Sequence, residues 1–264
     1  MRSINGINWK IRNIPQRLIE KNKQDLNISY ILSNIFIDKK YTNEEIYNSI
    51  YQNKNVNLTY ENQDFVKAGF FVKKCLKLKK KILIFGDYDV DGYSSTYLLY
   101  DYFTMLNIGC DYYIPDRFLD GYGPNKILLK KLLKKDNYGL VIFVDCGTNS
   151  IEEISYLENT GVNTIIIDHH QIYQFKSFDK TVIINPKKNL SNTKYSFLCA
   201  TALVYFFIKY LVSIFEIKVK IDFDKYLFFS AIATICDQMP MRGFNKIIVN
   251  NGIKNLNFKT FKNL

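Results

Sequence analysis

Histidine is scarce in this chain: 264 residues hold 2 of them. Cysteine is present but lacks a pattern. Cys75, Cys110, Cys146, Cys199 and Cys236 make an odd set of 5, and no two stand at Cys-x-x-Cys spacing. That excludes a disulfide framework or a zinc knuckle and leads us to expect a reducing cytoplasm. A long uninterrupted apolar run is also missing. Leu198–Phe215 comes nearest, but Lys209 interrupts it and Tyr205 and Tyr210 are ordinary core residues. It reads as a buried helix, and no membrane association is expected. Met1–Ile14 lacks the apolar centre of a secretory signal. No internal repeat and no low-complexity linker stands out. Acids are the minority charge, 25 against 36 Lys and Arg, for a net charge of +11. Such a balance invites a polyanionic partner. Here Lys, Asn, Ile, Tyr and Phe are abundant together, the joint bias of an AT-rich genome, so charge alone carries little weight.

What is present describes a globular chain. Hydrophobic residues make up 47% and aromatics 16%, enough for one large domain or two small ones. Residues 1–80 read as a helical N-terminal region packing on the core. Leu26, Ile28, Ile31, Leu32 and Ile35 follow a helical pattern. Thr42-Asn43-Glu44-Glu45 looks like a capping box opening a helix through Ile50. Gln52–Asn57 reads as a loop, and Phe65–Leu78 as a further helix. Residues 81–264 change character. Apolar runs at Ile82–Phe85, Cys110–Ile114, Leu140–Val144, Thr164–Ile167 and Val182–Ile184 alternate with helical segments at Asn125–Lys135 and Ile151–Asn159. Cys199–Phe215 and Phe223–Ile235 read as two more helices. Continuous apolar strands between helices predict an α/β fold, a parallel sheet covered on both faces.

The chemistry gathers where those strands end. Ile82–Phe85 runs into Gly86 and then Asp87, Asp89 and Asp91 at alternate positions. Gly92 is read as breaking the run before a helix from Tyr97 to about Leu106. Three carboxylates beside a helix N-terminus repel unless a cation neutralises them, and a hard divalent metal is the natural choice. The competing reading is a solvated Asp/Gly turn. Another strand ends at Asp145, and another at Asp168-His169-His170, which takes both histidines. Imidazole beside carboxylates suits Mn²⁺ better than Ca²⁺, with Mg²⁺ also open. Asp237 follows the apolar stretch Ala231–Cys236, where a charge needs a partner. It either closes the site from far along the chain or is a turn residue before Pro240.

Four motifs, Gly86-Asp-Tyr-Asp-Val-Asp-Gly92, Val144-Asp-Cys-Gly147, Asp168-His-His170 and Ala233-Thr-Ile-Cys-Asp237, occur in the order seen in the DHH phosphoesterase superfamily. Ile114-Pro-Asp-Arg-Phe118 with Gly121-Tyr-Gly123 resembles its RecJ branch, the single-strand-specific 5′→3′ DNA exonucleases of DNA repair and recombination. The resemblance covers residues 25–255. It implies a two-metal phosphodiesterase using Mn²⁺ or Mg²⁺. Carried over by motif, Asp89, Asp91, Asp145, His169 and Asp237 would be metal ligands. Asp145 would bridge the ions and Asp87 would be an additional ligand. His170 would contact the scissile phosphate, and Asp168 would orient the histidines. Backbone N–H groups near Ser94 and Ser95 are expected to hold a further phosphate. Arg117 is either a phosphate fork or a surface cation.

Three departures from the family pattern stand out. Phe85 occupies a position where many relatives have histidine. Leu198-Cys-Ala-Thr-Ala202 replaces a glycine-rich segment, with consequences expected for the approach of substrate backbone. Lys246 stands where arginine is usual. The chain stops at Leu264, short of the DNA-gripping C-terminal domain and OB-fold of the branch. The expectation is a fragment, a truncated form or a minimal form served by a separate C-terminal partner, with single-strand-binding protein a further expected partner. Two other readings remain: a DHH phosphodiesterase of short oligonucleotides or cyclic dinucleotides, and a non-catalytic DNA-binding relative.

Overall fold

The apolar runs form a wholly parallel sheet. Its strands are β1 (Lys81–Phe85), β2 (Cys110–Tyr113), β3 (Tyr138–Val144), β4 (Asn163–Ile167) and β5 (Thr181–Ile184), in the order β2-β1-β3-β4-β5. This comes from a computed structural model describing residues 13–51, 63–174, 176–188, 195–215 and 219–254, with residues 4, 6 and 8. The loop expected at Gln52–Asn57 lies outside the described residues. The chain divides into two compact units, Met1–Val56 and Asn57–Leu264.

The first unit holds α1 (Gln16–Leu26), α2 (Tyr30–Asp38) and α3 (Asn43–Tyr51). The helical pattern expected across Leu26–Ile35 is broken. Asn27 turns left-handed at φ 49°, and Ser29 caps α2 by accepting from the Leu32 N–H. Asn reaches that conformation at low cost. The capping box forms: the Thr42 N–H donates to Glu45 at 2.8 Å and the Glu45 N–H to Thr42 Oγ1 at 3.2 Å.

The second unit begins with α4 (Gln63–Lys77), then α5 (Val90–Met105), α6 (Lys126–Leu133), α7 (Ile151–Thr160), α8 (Ala200–Phe215), α9 (Phe223–Cys236) and α10 (Phe244–Lys254). The sequence reading drew its boundary after α4. In the structure Phe65, Ala68, Val72 and Cys75 of α4 join the core of the sheet, so the division between units precedes this helix. Alternate residues sort to the two faces. Ile82, Ile84, Leu140, Ile142, Ile165 and Ile167 pack with α4, α5 and α8. Leu83, Phe85, Val141, Phe143 and Ile166 pack with α6 and α7. Each such aliphatic contributes about 1.5–3 kcal/mol by leaving water. Among the described residues no helix is long and apolar enough to cross a membrane. Helix α10 had no counterpart in the sequence reading.

At the N-terminal end of the strands, Lys81 Nζ pairs with Asp111 at 3.3 Å and Asp136 at 2.5 Å, and the Tyr138 hydroxyl donates to Asp111 at 2.7 Å. These bonds tie β1, β2 and the approach to β3. At the other end the crossovers diverge. β1 leads to β2 on one side and β3 pairs on its other side, which makes the β1/β3 boundary a topological switch point, where open α/β sheets bind ligands.

Two glycines let the chain turn there. A Cβ on Gly86 would lie 2.1 Å from Thr96 Oγ1, and one on Gly92 2.3 Å from the Asp87 carbonyl oxygen. Gly92 therefore does not end a strand run. It sits in the first turn of α5, directly against the Asp87 backbone, and the helix starts well ahead of the expected Tyr97. Gly92→Ala should lower urea-denaturation stability by about 3 kcal/mol, because a backbone rather than a flexible side chain must move. Gly121→Ala, at φ 79° with no atom within 4 Å, should lose only the ~1–2 kcal/mol of left-handed strain. Equal losses at the two positions would refute the close-approach account.

Candidate metal centre

Seven side chains, those of Asp87, Asp89, Asp91, Asp145, His169, His170 and Asp237, gather at the switch point. Asp87 follows β1 and is 3% exposed; Asp91, in the first turn of α5, is 1% exposed. Asp89, between them, is exposed and caps α5, accepting from the Gly92 N–H at 2.9 Å. Asp145 follows β3 in the left-handed region at φ 60°. His169 follows β4 and is 7% exposed. Asp237 arrives as the C-cap of α9. A carboxylate there faces the negative end of the helix dipole, an unfavourable position without a neighbouring cation.

His169 is the hub. Its Nε2 lies 3.2 Å from Asp145, 3.4 Å from Asp237 and 3.7 Å from Asp91. Ligand atoms of Asp91, His169 and Asp237 fall within 4.8 Å of one another, as do those of Asp87, Asp89 and Asp145, and those of Asp145, His169 and His170. Asp145 and His169 each belong to two of the groups. Asp87 Oδ1, Asp145 Oδ1, His169 Nδ1 and Asp237 Oδ2 are buried with no hydrogen-bond partner among the described residues. Leaving such groups unpaired costs about 1–3 kcal/mol each, more when charged. Burial pushes the Asp87 carboxyl up to about 6, helped by the charge of Asp89. Burial also pushes Asp145 well above the carboxylate range, reinforced by Asp91, Asp89 and Asp168. Asp237 rises for the same reason, burial first, against the lowering pull of His169. Carboxylates with one imidazole are a donor set that fits Mn²⁺ or Mg²⁺.

Asp168 has a different task. Burial alone would raise its pKa, but hydrogen bonds reverse that and hold it below the usual range. It accepts from the N–H of His169 at 2.7 Å, of His170 at 3.1 Å and of Thr148 at 3.1 Å. His170 Nδ1 lies 2.7 Å from its Oδ1, and that hydrogen bond raises the His170 pKa. Asp168 therefore orients the histidine pair and is not placed to ligate. Nδ1 of half-exposed His170 faces Asp168, and its Nε2 lies 3.5 Å from the Tyr122 hydroxyl.

Two expected features resolve differently. Ser94 and Ser95 lie inside α5, not at its N-terminus. Both are buried, and the Ser95 hydroxyl donates to the Asp91 and Gly92 carbonyls at 2.7 and 3.1 Å. Their amides belong to a continuing helix and offer no phosphate cradle. Arg117 sits 5.5 Å from the ring centroid of Tyr88, the residue between Asp87 and Asp89 in the chain. Phe85 lies in the core between the rings of Tyr113 and Phe143, so that position turns away from the acids.

Several contributors escaped the sequence reading. Asp91 does more than face the cluster: its carboxylate accepts from the N–H of Ala200 at 2.7 Å and of Thr201 at 2.8 Å, and from Thr201 Oγ1 at 2.6 Å. It anchors the N-terminus of α8, a favourable place for an anion, and Leu198–Ala202 is the segment that receives it. Asn185, 3% exposed, donates to the His170 carbonyl at 2.9 Å and Thr148 Oγ1 at 3.2 Å, bracing both loops. Its one signal was the Asn-Pro pair at a strand end. Lys187 lies two residues further on; burial lowers its pKa, and Asp168 and Asp237 pull the other way. The Tyr122 hydroxyl lies 3.4 Å from His170 Nδ1.

A parallel sheet with acids and two histidines converging at its switch point defines an α/β protein with a candidate metal site. Residues 81–234 match the family described as DHH family, N-terminal domain. The match takes in more than half of the chain, which belongs to that family. The single-stranded-DNA-specific exonuclease RecJ of Bacillus subtilis (strain 168) is 26% identical over 250 residues, 94% of this chain and 31% of its own length. RecJ of Haemophilus influenzae is 28% identical over 183 residues, 66% of this chain and 31% of its own. The chain thus spans about a third of the length of these curated relatives. Among solved structures, an exonuclease RecJ bound to manganese superposes with a TM-score of 0.65 at 24% identity, over 76% of this chain and 49% of that one. RecJ of Thermus thermophilus in complex with Mn²⁺ gives 0.67 at 19% identity, over 91% and 33%. The fold is shared with both.

Proposed function

We propose that this chain is the catalytic portion of a divalent-metal-dependent phosphodiesterase that trims single-stranded DNA as a 5′→3′ exonuclease. The carrying observation is the convergence of the Asp91, Asp145 and Asp237 carboxylates on His169 Nε2, with Asp87 grouped beside Asp145, in a member of the DHH family. Asp89, Asp91, Asp145, His169 and Asp237, with Asp87, would hold two Mn²⁺ or Mg²⁺ ions. Bound, such ions supply Lewis-acid stabilisation of phosphate oxygens and a nucleophile at neutral pH. The protein supplies the rest. Asp168 favours the protonated His170 imidazole and aims it so that its Nε2 donates to a phosphate oxygen as charge develops. Arg117 holds a neighbouring phosphate through its guanidinium fork. Tyr122 fixes the loop that carries Arg117 against His170. The family resemblance extends the proposal to DNA repair and recombination in the cytoplasm.

A strand reaching a recessed acid cluster cannot remain paired, and binding without sequence preference works through phosphate contacts and base stacking. With Mn²⁺ present, activity should fall on a 5′-labelled single strand, release short products from that end, and spare blunt duplex. Preference for duplex, or for cyclic dinucleotides over DNA, would replace this reading with the oligonucleotide-phosphodiesterase one. Tight strand binding without turnover at any metal concentration would replace it with the non-catalytic one.

A further inference from the structure

Loop 114–123, between β2 and α6, carries Phe118 at 91% and Leu119 at 86% exposure, side by side. Single exposed apolar residues need no explanation. Here the loop is pinned in a way that keeps both outside. Asp116 Oδ1 accepts from the Phe118 N–H at 2.8 Å and the Leu119 N–H at 3.0 Å. Asp120 Oδ2 accepts from the Asp116 N–H at 3.0 Å and the Tyr113 hydroxyl at 2.7 Å. The Asp120 N–H closes the turn on the Asp116 carbonyl at 2.9 Å. Both acids of the loop are thus committed to building a platform that holds two large apolar groups in water.

The platform adjoins the metal centre. Its Tyr122 ring makes an edge contact with His170, centroids 6.0 Å apart, and another with Tyr88 at 6.4 Å. Arg117, over Tyr88, immediately precedes Phe118. A cation suited to phosphate followed directly by an apolar pair suited to a ring face matches the backbone-and-base alternation of a nucleic-acid strand. Two residues beside a cation make too small a patch for a protein partner, whose interface buries roughly 800 Å² on each side.

We infer that Phe118 and Leu119 form an apolar subsite for the unstacked bases of a single strand entering the metal centre. The inference rests on the proposed nuclease reading and adds a base-contacting site to it. The test compares a phosphorothioate oligothymidine, which resists hydrolysis, with the same backbone bearing abasic residues, by fluorescence anisotropy with Mn²⁺ present. Phe118→Ala/Leu119→Ala should weaken oligothymidine binding about tenfold, equal to ~1.4 kcal/mol and in the range for a base on an aromatic ring. Binding of the abasic strand should not change. Both residues are exposed, so the variant folds, and an unchanged Mn²⁺-induced melting shift would show the metal centre intact. Equal weakening on both strands, or none on either, overturns the subsite while the nuclease reading stands. A shift in oligomeric state on substitution overturns it in favour of a contact between copies. Failure of the unaltered protein to bind either strand removes the nuclease reading and the subsite together.

Discussion

His170→Ala should lower kcat on single-stranded DNA by about 10²-fold or more, the scale for losing one donor to a developing oxyanion, with Mn²⁺ affinity nearly unchanged. The two histidines sit with ring centroids 4.7 Å apart but face different groups. His169 turns Nε2 to three carboxylates. His170 gives Nδ1 to Asp168, which raises its pKa and leaves it partly exposed. Because the shift is upward, the charged form persists above the pH at which a free imidazole loses its proton. The contribution it makes is complete at low pH and fades as pH rises through the folded-state pKa. His169→Ala should instead weaken both metal binding and turnover. Metal titration by calorimetry and single-turnover rates on the two variants separate the roles. If His170→Ala loses metal as severely as His169→Ala, then His170 is a ligand.

Asp145→Asn should invert the order of stability between metal-free and metal-loaded protein. Asparagine keeps the shape and tolerates the left-handed backbone at this position, whereas Asp145→Ala would add strain to the loss of charge. In EDTA the variant should melt higher than the unaltered protein. A buried carboxylate whose pKa is raised by burial and by Asp91, Asp89 and Asp168 is destabilising when nothing neutralises it. With Mn²⁺ at about 100 times its Kd, the unaltered protein gains ~2.7 kcal/mol. For a chain of this size that moves Tm by roughly 5–10 °C. The variant, lacking this carboxylate, should gain almost nothing, and the curves cross. Scanning fluorimetry in EDTA and in Mn²⁺ reads both signs; a full metal shift in the variant would show that Asp145 is not a ligand.

The strands were legible because both faces of a parallel sheet are covered, which leaves continuous apolar runs with polar residues only at the tips. That same rule placed Asp87, Asp145 and His169 at one edge. Helix starts were harder to read. Gly92 carries the residue type of a breaker, yet it is required inside a helix by a backbone that passes too close for a Cβ, so α5 was read as starting late and Ser94 and Ser95 were misplaced. Asn27 was hidden in a helical periodicity that spans the break. The anchoring of α8 by Asp91 and the bracing of His170 by Asn185 are contacts between residues distant in sequence, and no local pattern encodes them.

The proposed ligand set is divided between two parts of the fold. Asp87, Asp145 and His169 come from strand ends that neighbouring pairings bring together. Asp91 and Asp237 come from helices, and Asp91 is tied to α8, which packs on α9. The group of Asp91, His169 and Asp237 therefore exists only once the end of α9 has closed on residues far from it in sequence. A cation that needs the whole set can reward the native state but not a transition state that precedes that closure. Metal loading should act as a kinetic lock, lengthening the native lifetime by slowing unfolding while leaving the refolding rate nearly unchanged.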